Sequence, residues 1–431
     1  MTTRRTFITL LAAVLCCWGI WQAARVGFAR TLNDYAARQR RDNVAAVVIK
    51  LARVSDANSA ADRAVALLPA DAEGHLARAD VLQRLQDYEQ ARDEIERAVQ
   101  LRPRDYYLWM LLGVARDQNY DQAGALLALQ QSVTLAPTYA QPRWQLGNLL
   151  LRMGHLDQAF IELRQAAQSN PSLWPNVYDL AWGIYGHDAN AVVAVIQPET
   201  DTARMSFALF FARQSQAAAA LGQFRAARVR AEKSSESVLD ELLKARAFPE
   251  AYEVWASLHD LPTGDATAVI RDGGFEGVLT VGQTGFGWQI TPDIANVSMS
   301  IDEGAHQSGA RSLRLDFHGN SNPLSPLLTQ IVLVKPSTRY HLGLFGLSKD
   351  FVSAADAVIT LVDASDPNHA VLAQSPPLRS DPNVWREFAI DFTTSANTQA
   401  ITLTLARQTC NNNPCPAFGT VWLDSFSLAP R

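Results

Sequence analysis

Apolar and polar positions fall into three textures along the chain. From Phe7 to Ala24 the residues are almost unbroken apolar (FITLLAAVLCCWGIWQAA), with Arg4 and Arg5 before them and Arg25 after. From Ala36 to about His259 the chain is rich in Ala, Leu, Arg, Gln and Glu and lacks strand-like alternation, so it predicts helices. From Leu261 the spacing of apolar positions drops to two. Ser312–Phe317 places Leu313, Leu315 and Phe317 on one face and Arg314 and Asp316 on the other. Arg386–Phe392 and Ile401–Leu405 alternate in the same way, and Thr329–Val334, Tyr340–Leu347 and Ala357–Val362 add strands between Gly, Asn, Asp and Pro punctuation. The three textures divide the chain at 1–30, 31–260 and 261–431. The fold class expected is multidomain α plus β: an N-terminal transmembrane helix, an α-solenoid and a C-terminal antiparallel β-sandwich of jelly-roll type.

The first run has eighteen residues, which at ~1.5 Å rise reach roughly 27 Å, enough to cross a bilayer core with little tilt. A cleaved signal peptide would end on small residues, yet Gln22 stands two before Ala24 and Arg25 follows. Leu15 before Cys16 disfavours a lipoprotein site. The segment therefore reads as an uncleaved, single-pass anchor in a bacterial inner membrane. Arg25, Arg30, Arg38, Arg40 and Arg41 pull the body toward the cytoplasm. The pair Cys410 and Cys415 and the character of the last segment pull it outward, and an extracytoplasmic body is the reading adopted.

Within the helical segment, Pro69, Pro103, Pro137 and Pro171 stand 34 residues apart each time. A fixed period of this size marks stacked helical hairpins. Ala91, Ala125 and Ala159 keep the register, as do Ala64, Ala98 and Ala166 with Ser132 in the middle unit, and Gly113 and Gly147 sit where paired helices approach. Small side chains allow that approach, and each proline ends a helix it cannot continue. The units Ala72–Arg104, Asp105–Thr138 and Tyr139–Ser172 resemble the tetratricopeptide repeat, with a half-unit at Ala57–Pro69 and degenerate turns at Gly222 and Phe248. The resemblance implies a superhelix whose concave face holds a protein partner and which carries no catalytic machinery. Trp109, Trp144, Leu112 and Leu146 are expected in its core.

The last segment carries ordered landmarks: Asp272-Gly-Gly-Phe-Glu276, Gly287-Trp288, Gly309-Ala-Arg-Ser-Leu-Arg-Leu, Trp385-Arg-Glu-Phe and Val421-Trp-Leu-Asp-Ser-Phe-Ser-Leu428. Over Ile270–Leu428 it resembles the jelly-roll carbohydrate-binding modules found beside xylanases and cellulases. The resemblance implies a polysaccharide ligand, although the outward strand positions are mostly Arg, Asp, His and Thr and offer no evident aromatic platform. It also implies a structural calcium at Glu276 and Asp424, whose hard oxygens suit that ion; the alternative is two solvated carboxylates at strand ends. Trp288, Trp385 and Trp422 fall at structural landmarks.

Cys410 and Cys415 flank Asn-Asn-Asn-Pro in an expected loop between the last two strands, and form a disulfide if the loop brings their Cα atoms within reach; the alternative is two unrelated thiols. The chain of 431 residues is 48% hydrophobic and carries a net charge of −5. That excludes wholesale disorder and argues against a nucleic-acid partner. Four cysteines do not make a disulfide scaffold, and no H-E-x-x-H, G-x-S-x-G or P-loop sequence occurs among them or the eight histidines. The expected function is a non-catalytic, membrane-anchored envelope scaffold. Its repeats hold a protein partner and its sandwich contacts glycan or protein, in assembly or export of surface polysaccharide. The alternative is a carbohydrate-active accessory or hydrolytic protein.

Overall fold

The computed structural model describes residues 18, 20–32, 47–264, 266–279, 284–380, 384–410 and 414–431. Most of the apolar run Phe7–Ala24, on which the membrane anchor rests, lies outside the described residues. Among those described, residues 20–32 are helical, and no helix is long and apolar enough to cross a membrane. Contacts divide the chain into two compact units, Met1–Gln197 and Pro198–Arg431.

In the first unit, Val47–Leu67 is followed by the antiparallel pairs Ala72–Arg84 with Tyr88–Leu101, Tyr106–Gln118 with Gln122–Leu135, and Ala140–Arg152 with Leu156–Ser169. Trp174–Ile184 and Ala189–Ile196 complete it. Chemistry at the helix ends repeats with the prolines. Asp71 and Asp105 cap the first helix of their pairs, and Asp87 and Asp121 cap the second, each accepting a backbone N–H. The third pair has Tyr139 and His155 at those positions and no side-chain cap at either. The turn inside each pair places Gln86, Tyr120 and Gly154 in the left-handed region, with φ of 63°, 60° and 79°.

The small residues pack as expected. Ala91, Ala125, Ala159, Ala98 and Ala166 are buried, and Ser132 is buried with its hydroxyl donating to the Tyr106 carbonyl at 2.7 Å. A Cβ on Gly113 would stand 2.5 Å from Leu129 Cγ, and one on Gly147 would stand 2.7 Å from Leu163 Cγ. Leu112 and Leu146 are core residues, whereas Trp109 and Trp144 are only half-buried.

The second unit opens with helices Asp201–Arg213, Ala217–Ala226, Glu232–Lys244 and Phe248–Leu258 before any strand. The change of texture near residue 260 is thus a change of secondary structure inside one unit. Aromatic packing explains why: the rings of Tyr252 and Trp255 lie 5.2 and 5.8 Å from Phe286 at the start of the sandwich. Gly285 (φ +129°) lets the backbone press against Trp255, where a Cβ would come within 2.2 Å of the indole.

Among the described residues ten strands follow: β1 Gln289–Ile290, β2 Val297–Asp302, β3 Ser312–Asn320, β4 Leu328–Leu333, β5 Arg339–Ser353, β6 Ala357–Asp363, β7 Val371–Gln374, β8 Arg386–Thr393, β9 Ala400–Arg407 and β10 Pro416–Pro430. They form two antiparallel five-stranded sheets, β1-β4-β9-β6-β7 and β2-β3-β10-β5-β8. The inward positions expected on β3, β8 and β9 (Leu313, Leu315, Phe317, Phe388, Ile390, Phe392, Ile401, Leu403 and Leu405) are all in the shared core. Of the strands not expected from the sequence, β1 and β7 are short edge strands with only half-buried or exposed positions. Strand β2, also an edge strand, does alternate, with Val297, Met299 and Ile301 half-buried against the core and Ser298 and Ser300 exposed.

Candidate functional site

In the first unit, one position per repeat makes the same bond with different chemistry. His75 Nε2, Trp109 Nε1 and Arg143 Nε lie 34 residues apart, and each meets the carbonyl of the proline six residues earlier at 2.9 Å. His75 and Arg143 each use a second nitrogen on a carboxylate of the paired helix, Glu94 at 2.5 Å and Glu162 at 2.6 Å. Trp109 has one N–H only, and Ala128 stands where those glutamates do. These residues fasten the helix hairpin, and nothing in them is chemically reactive. Close by, the Tyr106 and Tyr139 rings meet at 4.9 Å, and Tyr107 and Tyr139 are 43% and 54% exposed. Tyr139 occupies the place of a capping aspartate, so this repeat gives up a cap for an exposed ring.

In the second unit the opening and closing landmarks converge. Phe275, Trp288 and Phe426 form a ring cluster with centroids 5.1 to 5.8 Å apart. The Phe426 amide donates to the Gly273 carbonyl at 2.8 Å, and a Cβ on Gly273 would clash with the Phe426 carbonyl. Glu276 and Asp424 are brought together around Gly274, where a Cβ would stand 3.7 Å from Asp424 Oδ1 and 3.9 Å from Glu276 Oε1. Both carboxylates hold the 307–311 backbone. Asp424 Oδ2 accepts from the Gln307 and Ser308 amides at 2.7 and 3.0 Å, and Glu276 Oε1 accepts from Ala310 and Arg311 at 2.8 and 3.2 Å. Asp424 is fully buried and Glu276 is exposed. Among the described residues no three His, Cys, Asp or Glu side chains gather to hold a metal. A calcium ion here would draw on these two carboxylates and on backbone carbonyls.

The outer face of the β2-β3-β10-β5-β8 sheet is polar and ordered. Arg314 lies between Asp316 at 2.9 Å and Asp302 at 3.5 Å, and its guanidinium stands 5.6 Å over the Trp422 ring. The Trp422 indole donates to Asp302 Oδ2 at 2.8 Å. That bond, with the Gly304 and Ala305 amides and Arg314, holds the Asp302 carboxyl below its ordinary value despite partial burial. Along β10 from this network, Phe418 pairs with His318 on one side and Val352 on the other, with Phe418 and Val352 52% and 70% exposed. Alternation hid this exposed ring, because a register shift between Phe418 and Thr420 breaks the period on β10. Trp288 and Trp422 are buried, each with its indole N–H on a fixed acceptor, which is a structural role.

Cys410 and Cys415 are disulfide-bonded with Cα atoms 6.2 Å apart, between β9 and β10.

Comparison with known proteins gives a family match within the repeats and likenesses among solved structures. Residues 72–105 match the tetratricopeptide repeat. Among solved structures, Pseudomonas aeruginosa PilF is 14% identical over 56% of this chain and 95% of its own, with a TM-score of 0.31. MamA is 18% identical over 36% of this chain and 93% of its own, with a TM-score of 0.31. YrrB, a tetratricopeptide repeat protein with an unusual peptide-binding site, is 20% identical over 36% of this chain and 84% of its own, with a TM-score of 0.29. At such scores the likeness carries no argument about what this chain binds. No curated protein matches it.

The matched segment is the first full repeat, which like the second has both aspartate caps. The third repeat, with neither, contributes Tyr139 to the pair it forms with Tyr106 of the second repeat. Its signal in the sequence was the loss of Asp at a position where the two preceding repeats keep one.

Proposed function

We propose that this chain is a non-catalytic scaffold of the bacterial cell envelope, tethered through its N-terminal apolar run, with a protein segment held by the repeats and a glycan met by the β-sandwich. Stacked helical hairpins give extended concave surfaces suited to protein segments. The observation that carries the reading is Tyr139, where a capping position has been surrendered to an exposed ring beside Tyr106. Tyrosine supplies rigid contact area at small entropic cost, which favours it at interfaces. The test is Tyr139→Asp, which restores a cap and removes the ring. The variant should gain about 0.5–1 kcal/mol in stability while losing capture of the partner that co-purifies with the full chain from detergent-solubilised membranes. Retained capture would remove the repeats from the interaction.

For the sandwich, the reading rests on the exposed Phe418 ring beside the polar rows of Asp316, Arg314, His318 and Lys349. A sugar face stacks on an aromatic ring while its hydroxyls meet such groups. Phe418→Ala should abolish retention on a polysaccharide array without lowering the melting temperature. Calcium at Glu276 and Asp424 belongs to the same proposal. Melting should rise with calcium over chelator by ~2.7 kcal/mol of stabilisation at a hundredfold excess over Kd, and Asp424→Asn should erase the difference. Equal melting in calcium and chelator would leave the carboxylates as clamps of the 307–311 backbone. A hydrolytic role would need paired carboxylates within a sandwich groove, and the convergent pair here is committed to backbone amides.

A further inference from the structure

We propose that the Cys410–Cys415 disulfide is a thiol-exchange site, in which Cys410 takes up a small thiol and Cys415 departs as a thiolate held by Arg407. This goes beyond the scaffold reading and does not depend on it.

Arg407 on β9 is 3% exposed, and its N–H groups are all engaged. Nε donates to the Ala355 carbonyl at 3.0 Å. Nη1 donates to Ser321 Oγ at 3.0 Å and to the Cys415 carbonyl at 2.9 Å. Nη2 reaches Ser353 Oγ at 3.2 Å and Cys415 Sγ at 3.3 Å. Every one of these partners is neutral. Among the described residues no carboxylate forms an ion pair with Arg407, and the nearby Asp356 pairs instead with Arg379 at 2.7 Å. A buried cation without an anion is costly, and burial accordingly holds this guanidinium below its ordinary value. The one group in contact that can become an anion is Cys415 sulfur.

Accessibility points the same way. Cys415 is 4% exposed and Cys410 is half-buried, so an outside nucleophile reaches Cys410 first. In thiol–disulfide exchange the better leaving sulfur is the one with the more stable thiolate, and a neighbouring cation supplies that stability. The incoming thiolate bonds to Cys410 Sγ as the S–S bond breaks, and the electron pair leaves on Cys415 Sγ beside Arg407. A second thiolate then attacks the incoming sulfur and frees Cys410, so two small thiols are oxidised to one disulfide while the protein disulfide is reduced to two thiols.

The experiment exposes the full chain to rising glutathione at neutral pH, quenches with acid and maps adducts by peptide mass. Glutathione should appear on Cys410 with Cys415 free, and Arg407→Gln should need about tenfold more glutathione for half reduction, the scale of one charge-assisted hydrogen bond. Because that variant removes a buried side chain, a second measurement avoids it. In Cys410→Ser, the ultraviolet thiolate absorbance of Cys415 is read against Cys410→Ser/Cys415→Ser, which cancels Cys16 and Cys17. It should be half-developed about one pH unit or more below the ~8.5 of a free cysteine. Adducts on Cys415, or a Cys415 that ionises at or above the free value, would overturn the proposal.

Discussion

The helical hairpins of the first unit and the sandwich of the second are held by ties of very different reach along the chain. In the hairpins, His75 meets Glu94 nineteen residues on, and Arg102 meets Glu73 across 29. In the sandwich, Trp422 meets Asp302 across 120 residues and Asp424 meets Gln307 across 117. A structure of near-neighbour ties behaves as a row of semi-independent repeats, whereas one closed by distant strands stands or falls together. Damage should therefore spread far in the sandwich and little in the repeats.

The largest expected effect is Phe275→Ala, which empties the centre of the Phe275–Trp288–Phe426 cluster. It should cost ~3–5 kcal/mol and speed hydrogen exchange in every strand of both sheets. Exchange confined to the segment around Phe275 would show that the sandwich is modular after all. Next comes Gly147→Leu, which drives a side chain into Leu163 and should cost ~1–3 kcal/mol. Here faster exchange should be limited to Ala140–Arg152, Leu156–Ser169 and their immediate neighbours, with Val47–Leu67 unmoved. Uniform loss across the unit would abolish the contrast.

A third test uses acid. The Asp302 carboxyl titrates below its ordinary value when folded, so its stabilising contribution is complete above ~pH 4 and is lost as pH falls through the lowered folded value. The Asp302→Asn protein should therefore show a shallower fall in melting temperature below ~pH 4 than the parent. Parallel curves would mean that the Trp422 bond contributes no pH dependence. The smallest effect is a gain. Tyr120 is 94% exposed and holds φ of 60°, where its counterpart Gly154 is unstrained. Tyr120→Gly should add about 0.5–1 kcal/mol, measured by urea unfolding, and Gln86→Gly should follow it.

The same contrast explains what was legible in the sequence. Four prolines at a period of 34 located the hairpins, and Gly113 and Gly147 lie where close approach requires them, because a repeat writes its contacts into its own period. Sandwich positions with a buried face were also readable, as on β3, β8 and β9. The short edge strands β1 and β7 were not, since they have no buried positions to contrast with exposed ones. Nor were groups assembled from separated segments. The Arg407 cradle draws Ser321, Ser353 with Ala355, and Cys415 from three places, and no spacing announces it. Phe418 was missed because an irregularity in β10 shifts the alternation just where that ring turns outward. The helices Asp201–Arg213 to Phe248–Leu258 share the texture of the repeats, and contacts such as Tyr252 and Trp255 on Phe286 reveal that they belong to the sandwich unit.

The position of β10 has a consequence for biosynthesis. It lies in the middle of its sheet, between β3 and β5, yet leaves the ribosome after every other strand. Until it arrives, β3 and β5 have no bridge between them, and the inward rows of both wait with one edge open. At about 5–20 residues per second, the stretch from Ser353, where β5 ends, to Pro416, where β10 begins, keeps that half-built sheet waiting for roughly 3–13 seconds. Over that interval the nascent sandwich is the part of the chain that needs shielding by a chaperone.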